Sequence, residues 1–211
     1  MVLFWGWTRN DTSYRRLIET APGRFHIHTL SFQNFMKSSW VNQLSDNVTK
    51  YLDEKNLGKV DLVGHSLGGA FALEYAYYHP ERVRHLYLLD SSGILDKRSL
   101  TSLLVDFFSS QSIRERKKMV ENLRAVYRIL RWPIVYWKLA YYVRHIDLEE
   151  EAQQIKTPTT IIWGGKDKLN PLWQGEKLQE LIKNSRLIIL DSMNHDWPLY
   201  KPELFWDNIN G

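Results

Sequence analysis

Short apolar runs alternate with amphipathic segments along most of this chain. Six runs have the length and composition of buried strands, at residues 2–7, 25–30, 59–63, 84–90, 159–165 and 185–190. Apolar residues at helical spacing predict helices between these runs, ending near residue 20 and spanning 41–55, 71–79 and 172–183, with a last short helix at 198–209. Because parallel strands need crossover connections, this alternation predicts an α/β fold with a parallel sheet and helices on both faces.

One long stretch departs from the alternation. Residues 95–151 contain no strand pattern, and their apolar spacing predicts three helices at 99–109, 113–131 and 133–144. We therefore predict a core formed by residues 1–94 and 152–211, with a helical cap of residues 95–151 inserted between the fourth and fifth strands.

Composition narrows the class of protein. The 211 residues suffice for one domain with a real core, and the absence of cysteine excludes disulfides, thiolate metal sites and cysteine nucleophiles. No apolar run approaches membrane-spanning length and the N-terminus lacks a charged leader, so we expect a soluble cytoplasmic protein. No cluster has metal-ligand spacing and no nucleic-acid motif is present, so we expect no metal, no cofactor and no nucleic-acid partner.

The third strand leads into Gly64-His65-Ser66-Leu67-Gly68, and a helix follows. This G-x-S-x-G pattern is typical of a nucleophile elbow, a sharp turn that needs very small neighbours on either side of its serine. The turn lifts the Ser66 hydroxyl clear of the sheet and leaves the N–H of Leu67 at a helix N-terminus, where it can stabilise an oxyanion. The alternative is a glycine-rich strand–helix turn with an ordinary serine.

Two further candidates follow later strands. Asp167 comes after the fifth strand and His195 after the sixth, and chemistry in a parallel sheet gathers at the carboxyl ends of its strands. Asp90, at the end of the fourth strand, is the rival for the acid. We interpret His65 as the variable position of the elbow and the other histidines as strand, turn or surface residues.

The chain resembles the α/β-hydrolase superfamily, specifically carboxylesterase-like members with a helical cap. Four motifs carry this resemblance: Gly-His-Ser-Leu-Gly-Gly, His-Pro-Glu-Arg-Val, Trp-Gly-Gly-Lys-Asp and an Asn-His near the C-terminus. The resemblance implies a nucleophile, Ser66, a base, His195, and an acid, Asp167. It also implies an oxyanion hole formed by the backbone N–H groups of Leu67 and Trp7, with Trp5-Gly6-Trp7 in place of the usual His-Gly-x.

The chain departs from the family in its sheet. Relatives have two further strands before the first one here, so we expect about six parallel strands in the spatial order 2-1-3-4-5-6. The second strand is then an exposed edge, which could pair with a second copy to form a homo-oligomer; the alternative is an edge covered by a loop.

Aromatic and basic residues surround the predicted elbow. We predict that an acyl pocket is lined by Trp5, Phe32, Phe35, Phe107, Phe108 and Trp137. The alternative is that the cap aromatics Phe107, Phe108 and Trp137 simply hold the cap to the body and that Phe32 and Phe35 merely pack. Residues 97–144 include eleven Lys or Arg and three Asp or Glu, in a chain whose net charge is +4. Such a basic face is ordinarily a solvated surface, and the alternative is weak contact with anionic lipid or acidic substrates.

From these features we predict a serine hydrolase that cleaves small to medium lipophilic carboxylic esters through an acyl-enzyme. The same triad would also serve a C–C bond hydrolase, a thioesterase or an amidase. A hydrolase-like binding protein without activity is the non-enzymatic alternative.

Overall fold

A computed structural model describes residues 1–6, 11–30, 44–98, 123, 126–127 and 129–209. The predicted helix at 99–109 and most of that at 113–131 lie outside these residues. Between the fourth and fifth strands the described residues contain helices and no strand. The bounds of the cap stay a prediction.

Six parallel strands form a single sheet in the described part of the chain. They are β1 (Val2–Phe4), β2 (His28–Leu30), β3 (Val60–His65), β4 (Val83–Leu89), β5 (Thr159–Gly164) and β6 (Ser185–Leu190). Their spatial order is β2-β1-β3-β4-β5-β6, and every neighbouring pair is parallel. The predicted fold class and strand order are therefore confirmed.

The first two strands are shorter than predicted. β2 begins only at His28, because Phe25 closes a turn by donating its backbone N–H to the Pro22 carbonyl at 2.8 Å. β1 ends at Phe4, and Trp5 and Gly6 leave the sheet toward the predicted oxyanion loop. β2 is the edge strand, as predicted. Its pairing with a second copy stays a prediction.

The labelled helices lie between or after these strands. They are α1 (Asp11–Glu19), α2 (Leu44–Glu54), α3 (Leu67–Tyr78), α4 (Pro133–His145), α5 (Glu149–Gln154), α6 (Leu172–Leu181), α7 (Trp197–Tyr200) and α8 (Glu203–Ile209). None of the described helices is long and apolar enough to cross a bilayer.

Two helix predictions need correction. The single helix expected at 198–209 is two helices, α7 and α8, separated by Lys201 and Pro202. Proline has no backbone N–H and disfavours helical geometry at the preceding residue, which explains the break. The short helix α5 was not predicted, because its acidic first turn, Glu149 to Glu151, has no apolar stripe.

The inner strands β1, β3 and β5 and most of β4 are buried on both faces, which suits their nearly continuous apolar runs, whereas the edge strands β2 and β6 are only partly buried. Along β1, Val2 and Phe4 join one core cluster, whereas Leu3 joins the other. The first cluster includes the apolar face of α3 and residues of α4. A sheet packed in this way holds the carboxyl ends of β3, β4, β5 and β6 rigidly at one edge.

Candidate active site

Ser66 lies between β3 and α3 in a conformation that non-glycine residues rarely adopt, with φ 57° and ψ −127°. Its backbone is held by the sheet, because its N–H donates to Leu89 O at 3.0 Å and its carbonyl accepts from Ser92 N at 2.9 Å. Strain of this kind costs roughly 1–3 kcal/mol and persists only where the surroundings impose it. Ser66 is partly exposed while both its neighbours are buried, as expected for an elbow.

Two glycines allow the turn to close. A β-carbon on Gly64 would lie 2.5 Å from the carbonyl oxygen of Gly68, and one on Gly68 would overlap the backbone of Phe4. Any side chain at either position would therefore push the strand and the helix apart. The prediction that the elbow needs residues without a side chain at Gly64 and Gly68 is confirmed.

Asp167 and His195 are brought together from different loops. His195 Nδ1 donates to Asp167 Oδ2 at 2.6 Å, and both residues are buried. The other carboxylate oxygen, Oδ1, accepts the backbone N–H groups of Leu169 at 2.8 Å and Asn170 at 3.0 Å. Because Asp167 Oδ2 accepts from His195 Nδ1, the pair keeps a proton on Nδ1 and leaves Nε2 as the basic nitrogen.

Asp90, the rival acid, has different partners. Its Oδ1 accepts the backbone N–H of Gly164 at 2.7 Å, and its φ is 42°. Its Oδ2 is buried without a hydrogen-bond partner among the described residues. Burial first, and the nearby charge of Asp167 second, raise the pKa of Asp90 well above the usual carboxyl range. The geometry thus pairs His195 with Asp167, and Asp90 lies behind that pair.

A buried chain of hydrogen bonds connects the first loop to His195. The backbone N–H of Gly6 donates to Tyr14 Oη at 2.9 Å, and Tyr14 Oη contacts His65 Nδ1 at 2.6 Å. His65 Nε2 contacts the backbone carbonyl of His195 at 2.9 Å. A carbonyl only accepts, so Nε2 carries the proton of a neutral His65 and Tyr14 donates to Nδ1.

These hydrogen bonds correct the interpretation of His65 as merely the variable position of the elbow. His65 is 1% exposed, and its ring centroid lies 4.9 Å from that of His195. A β-carbon on Gly6 would lie 3.3 Å from Ser66 Cβ, so the first loop adjoins the serine. The sequence analysis did not predict a role for Tyr14 or His65. The available signal was a histidine within the elbow together with an aromatic residue on the first helix.

The loop that carries Asp167 is also held from outside. Arg98 donates to the carbonyl oxygens of Lys168 at 3.0 Å and Leu169 at 2.7 Å, and it forms an ion pair with Asp96. Asn170 Nδ2 donates to the Asp90 carbonyl at 2.7 Å. The position of Asp167 therefore depends on Asp90, which directly follows β4, and on residues at the start of the predicted cap.

The remaining predicted site residues are only partly described. Trp7, Phe32, Phe35, Phe107 and Phe108 lie outside the described residues, and their roles stay predictions. Leu67 begins α3, so its N–H is in the first turn, where helical N–H groups have no partner within the helix. Trp5 is buried in the second core cluster. Trp137 is 68% exposed, which argues against a place in a closed acyl pocket.

Comparison with known proteins places this geometry in a family. The model of the alpha/beta hydrolase fold matches residues 1–125, more than half of the chain, including the elbow. The chain belongs to the alpha/beta hydrolase fold family. The resemblance read from the motifs is thereby confirmed.

Relatives align with this alpha/beta hydrolase over nearly its whole length. An uncharacterized hydrolase of Bacillus subtilis, YugF, is 25% identical over 99% of this chain and 88% of its own length. A pimeloyl-[acyl-carrier protein] methyl ester esterase of Nitrosomonas europaea is 21% identical over 97% of this chain and 92% of its own length. The solved structure of a bacterial membrane phospholipase A superposes with a TM-score of 0.80 at 21% identity, over 100% of this chain and 79% of that one. The prediction of an esterase-like hydrolase is confirmed at the level of the family.

Proposed function

We propose that this alpha/beta hydrolase cleaves carboxylic esters of small to medium lipophilic acyl groups through an acyl-enzyme formed on Ser66. The observation that carries the proposal is the 2.6 Å hydrogen bond between His195 and Asp167, at the same edge of the sheet as the strained Ser66. The methyl ester esterases among the relatives support a carboxylic ester as the substrate.

In the proposed first step the Ser66 oxygen attacks the ester carbonyl while its proton passes to His195 Nε2. Asp167 keeps the imidazole in the required tautomer and stabilises the imidazolium. The negative charge that develops on the carbonyl oxygen is bound by the N–H groups of Leu67 and Trp7. As the tetrahedral intermediate collapses, the bond to the leaving oxygen breaks and His195 protonates the departing alcohol.

In the second step water attacks the acyl-enzyme. His195 accepts the proton of that water, the acid leaves, and the proton returns to Ser66. The buried chain from Gly6 through Tyr14 and His65 supports both steps, because it fixes the first loop and the His195 backbone relative to one another. Tyr14 and His65 are positioning residues in this scheme.

The test compares Ser66→Ala with Ser185→Ala, a control that removes a hydroxyl at the start of β6, the end of the sheet opposite the predicted site. We expect Ser66→Ala to lower kcat for p-nitrophenyl butyrate roughly a million-fold and Ser185→Ala to leave it unchanged. A fluorophosphonate should label the wild-type chain once per molecule and the Ser66→Ala variant not at all.

The outcomes separate the alternatives. Ester hydrolysis retained by Ser66→Ala would refute the proposed nucleophile. Labelling of Ser66 with activity only toward thioesters, amides or diketones would keep the nucleophile and change the substrate class. No labelling and no hydrolysis would favour a binding protein. A rate profile across acyl chain lengths then defines the pocket.

A further inference from the structure

Helix α4 is apolar on two opposite faces. Its inner face packs on the body of the protein, where Tyr136 and Leu139 are buried. Tyr142 also belongs to this face: its ring stacks on Phe71 with centroids 5.1 Å apart, and its hydroxyl donates to Glu74 at 3.1 Å. These contacts fix α4 against α3 and determine which face points outward.

The outer face of α4 carries large apolar side chains in solvent. Ile134, Trp137 and Tyr141 are 70%, 68% and 59% exposed, and their spacing of three and four residues places them on one side of the helix. The Trp137 and Tyr141 rings stack with centroids 6.0 Å apart. A helix that is apolar all round is normally buried on all sides, so this outer face is suited to a further contact.

The chain just before α4 repeats the pattern. Leu123, Val126, Tyr127 and Leu130 are helical, exposed, and spaced by three, one and three residues. Seven of the ten exposed large apolar side chains in the described part of the protein thus fall between 123 and 141. We name this set the exposed stripe; its members are Leu123, Val126, Tyr127, Leu130, Ile134, Trp137 and Tyr141.

The charged side chains within the segment that carries the exposed stripe have a single sign. From residue 123 to residue 146 the sequence contains five Arg or Lys and no Asp or Glu, in a chain whose total net charge is +4. Within the described residues, Arg131 lies over the Trp132 ring, 4.5 Å from its centroid, and Lys138 is on α4 itself. The partner of this surface must accept apolar side chains and cations together.

We propose that the exposed stripe binds the surface of an anionic phospholipid bilayer. Helices with apolar side chains on one side and Lys or Arg around them lie in the headgroup region, and Trp and Tyr favour that depth. α4 has 13 residues and is too short to cross a bilayer, so it would lie along the surface. Anionic headgroups would neutralise the cations that flank the stripe.

The charge also decides against a second copy of this chain as the occupant. In a two-fold symmetric dimer the same surface meets itself, so the positive charges of Arg131 and Lys138 in one copy would lie close to those of the other. Like charges placed opposite one another oppose association. A bilayer with negative headgroups lacks this repulsion.

The experiment measures partition onto vesicles in the Ser66→Ala background, so that the lipid stays intact and the result does not depend on the proposed hydrolysis. We expect the protein to sediment with vesicles of equal parts phosphatidylglycerol and phosphatidylcholine and to bind pure phosphatidylcholine far less. Added salt should weaken the binding.

Two matched variants each replace one Ile, one Trp and one Tyr by Ala, at different places in the protein. The triple variant Ile134→Ala, Trp137→Ala and Tyr141→Ala removes the α4 part of the stripe, and the control Ile189→Ala, Trp173→Ala and Tyr78→Ala removes three exposed apolar side chains from the body. We expect the first to lower the partition coefficient at least about tenfold and the control to leave it unchanged.

A single variant keeps the test decisive if the triple variant is unstable. Lys138→Glu should lower partition onto the anionic vesicles roughly fivefold or more. Absence of binding to anionic vesicles would overturn the proposal, as would equal loss in the control variant. A dimer in sedimentation velocity that the α4 triple variant dissociates would overturn it too and assign the stripe to a second copy.

Discussion

The carboxyl ends of β4 and β5 each present a buried aspartate, and the two differ in how many donors surround them. Asp167 has three hydrogen bonds to its carboxylate, from His195, Leu169 and Asn170. Asp90 accepts one on Oδ1, and no hydrogen bond of good geometry reaches its Oδ2 in the described part of the chain, although the Asp167 carboxyl and the Trp197 indole lie beside it. A buried carboxylate is stable as an anion only when donors compensate it, so the surroundings of Asp90 favour its neutral form.

The comparison shows that position after a strand does not by itself decide which aspartate serves His195. The loop geometry decides it, since the chain turns back after Asp167 and the N–H groups of Leu169 and Asn170 donate to its carboxylate. The predictions below test this difference from the largest expected effect to the smallest.

The largest effect is expected for Asp167→Asn. An amide cannot hold the His195 Nδ1 proton as the carboxylate does, so the wrong tautomer is favoured and kcat for an activated ester should fall about 10⁴-fold. Steady-state kinetics with circular dichroism of the variant would measure this. Asp90→Asn serves as the control, and equal losses in both variants would contradict the assignment of the acid.

The second prediction concerns Tyr14→Phe. Removal of the hydroxyl leaves the Gly6 N–H and His65 Nδ1 buried without this partner, which should lower the free energy of unfolding by about 1–3 kcal/mol. If the hydrogen bonds from Gly6 through Tyr14 and His65 position His195, kcat should also fall roughly tenfold at an unchanged KM.

Tyr51→Phe is its control, because Tyr51 makes a similar contact with His28, 3.2 Å away and distant from the site. A loss of stability with normal kcat in Tyr14→Phe would show that the hydrogen bonds through Tyr14 and His65 stabilise the fold and do not position His195.

The third prediction is a pH dependence of stability. The pKa of Asp90 is raised in the folded protein, so its protonated form favours folding. That contribution is fully present below the unfolded pKa of about 3.9 and is lost as the pH rises through the folded pKa. Asp90→Asn cannot ionise and should retain the Gly164 hydrogen bond.

The stability of this variant relative to the wild type should therefore increase as the pH rises above about 4, the unfolded pKa, and level off once Asp90 is ionised in the folded wild type. Thermal unfolding across that range measures it. A difference that stays constant with pH would contradict a raised pKa.

The smallest effect is expected for Arg98→Ala. Loss of the hydrogen bonds to the Lys168 and Leu169 carbonyls should loosen the Asp167 loop, with a cost of about 1 kcal/mol in stability and a few-fold decrease in kcat. Arg16→Ala, which removes a comparable bond to the Tyr200 carbonyl, is the control. Equal kcat in the two variants would argue against a role for Arg98 in positioning.

Much of the fold could be read from local pattern. The six strands, their parallel direction and the elbow followed from apolar runs, crossover helices and the glycines around Ser66, because these depend on neighbouring residues. The spatial order of the strands followed from the resemblance to the family. Strand ends and the break before Pro202 were less accurate, since hydrogen bonds in turns decide them.

The sequence by itself determined the fold class, the elbow and the order of Ser66, Asp167 and His195. Only the tertiary structure decided which aspartate contacts His195, that His65 bridges the first loop to the His195 carbonyl, and that Trp137 faces solvent. The physical reason is that these properties depend on donors, burial and distances contributed by residues far apart in the chain. The bond between His65 and His195 spans 130 residues, and no local pattern records it.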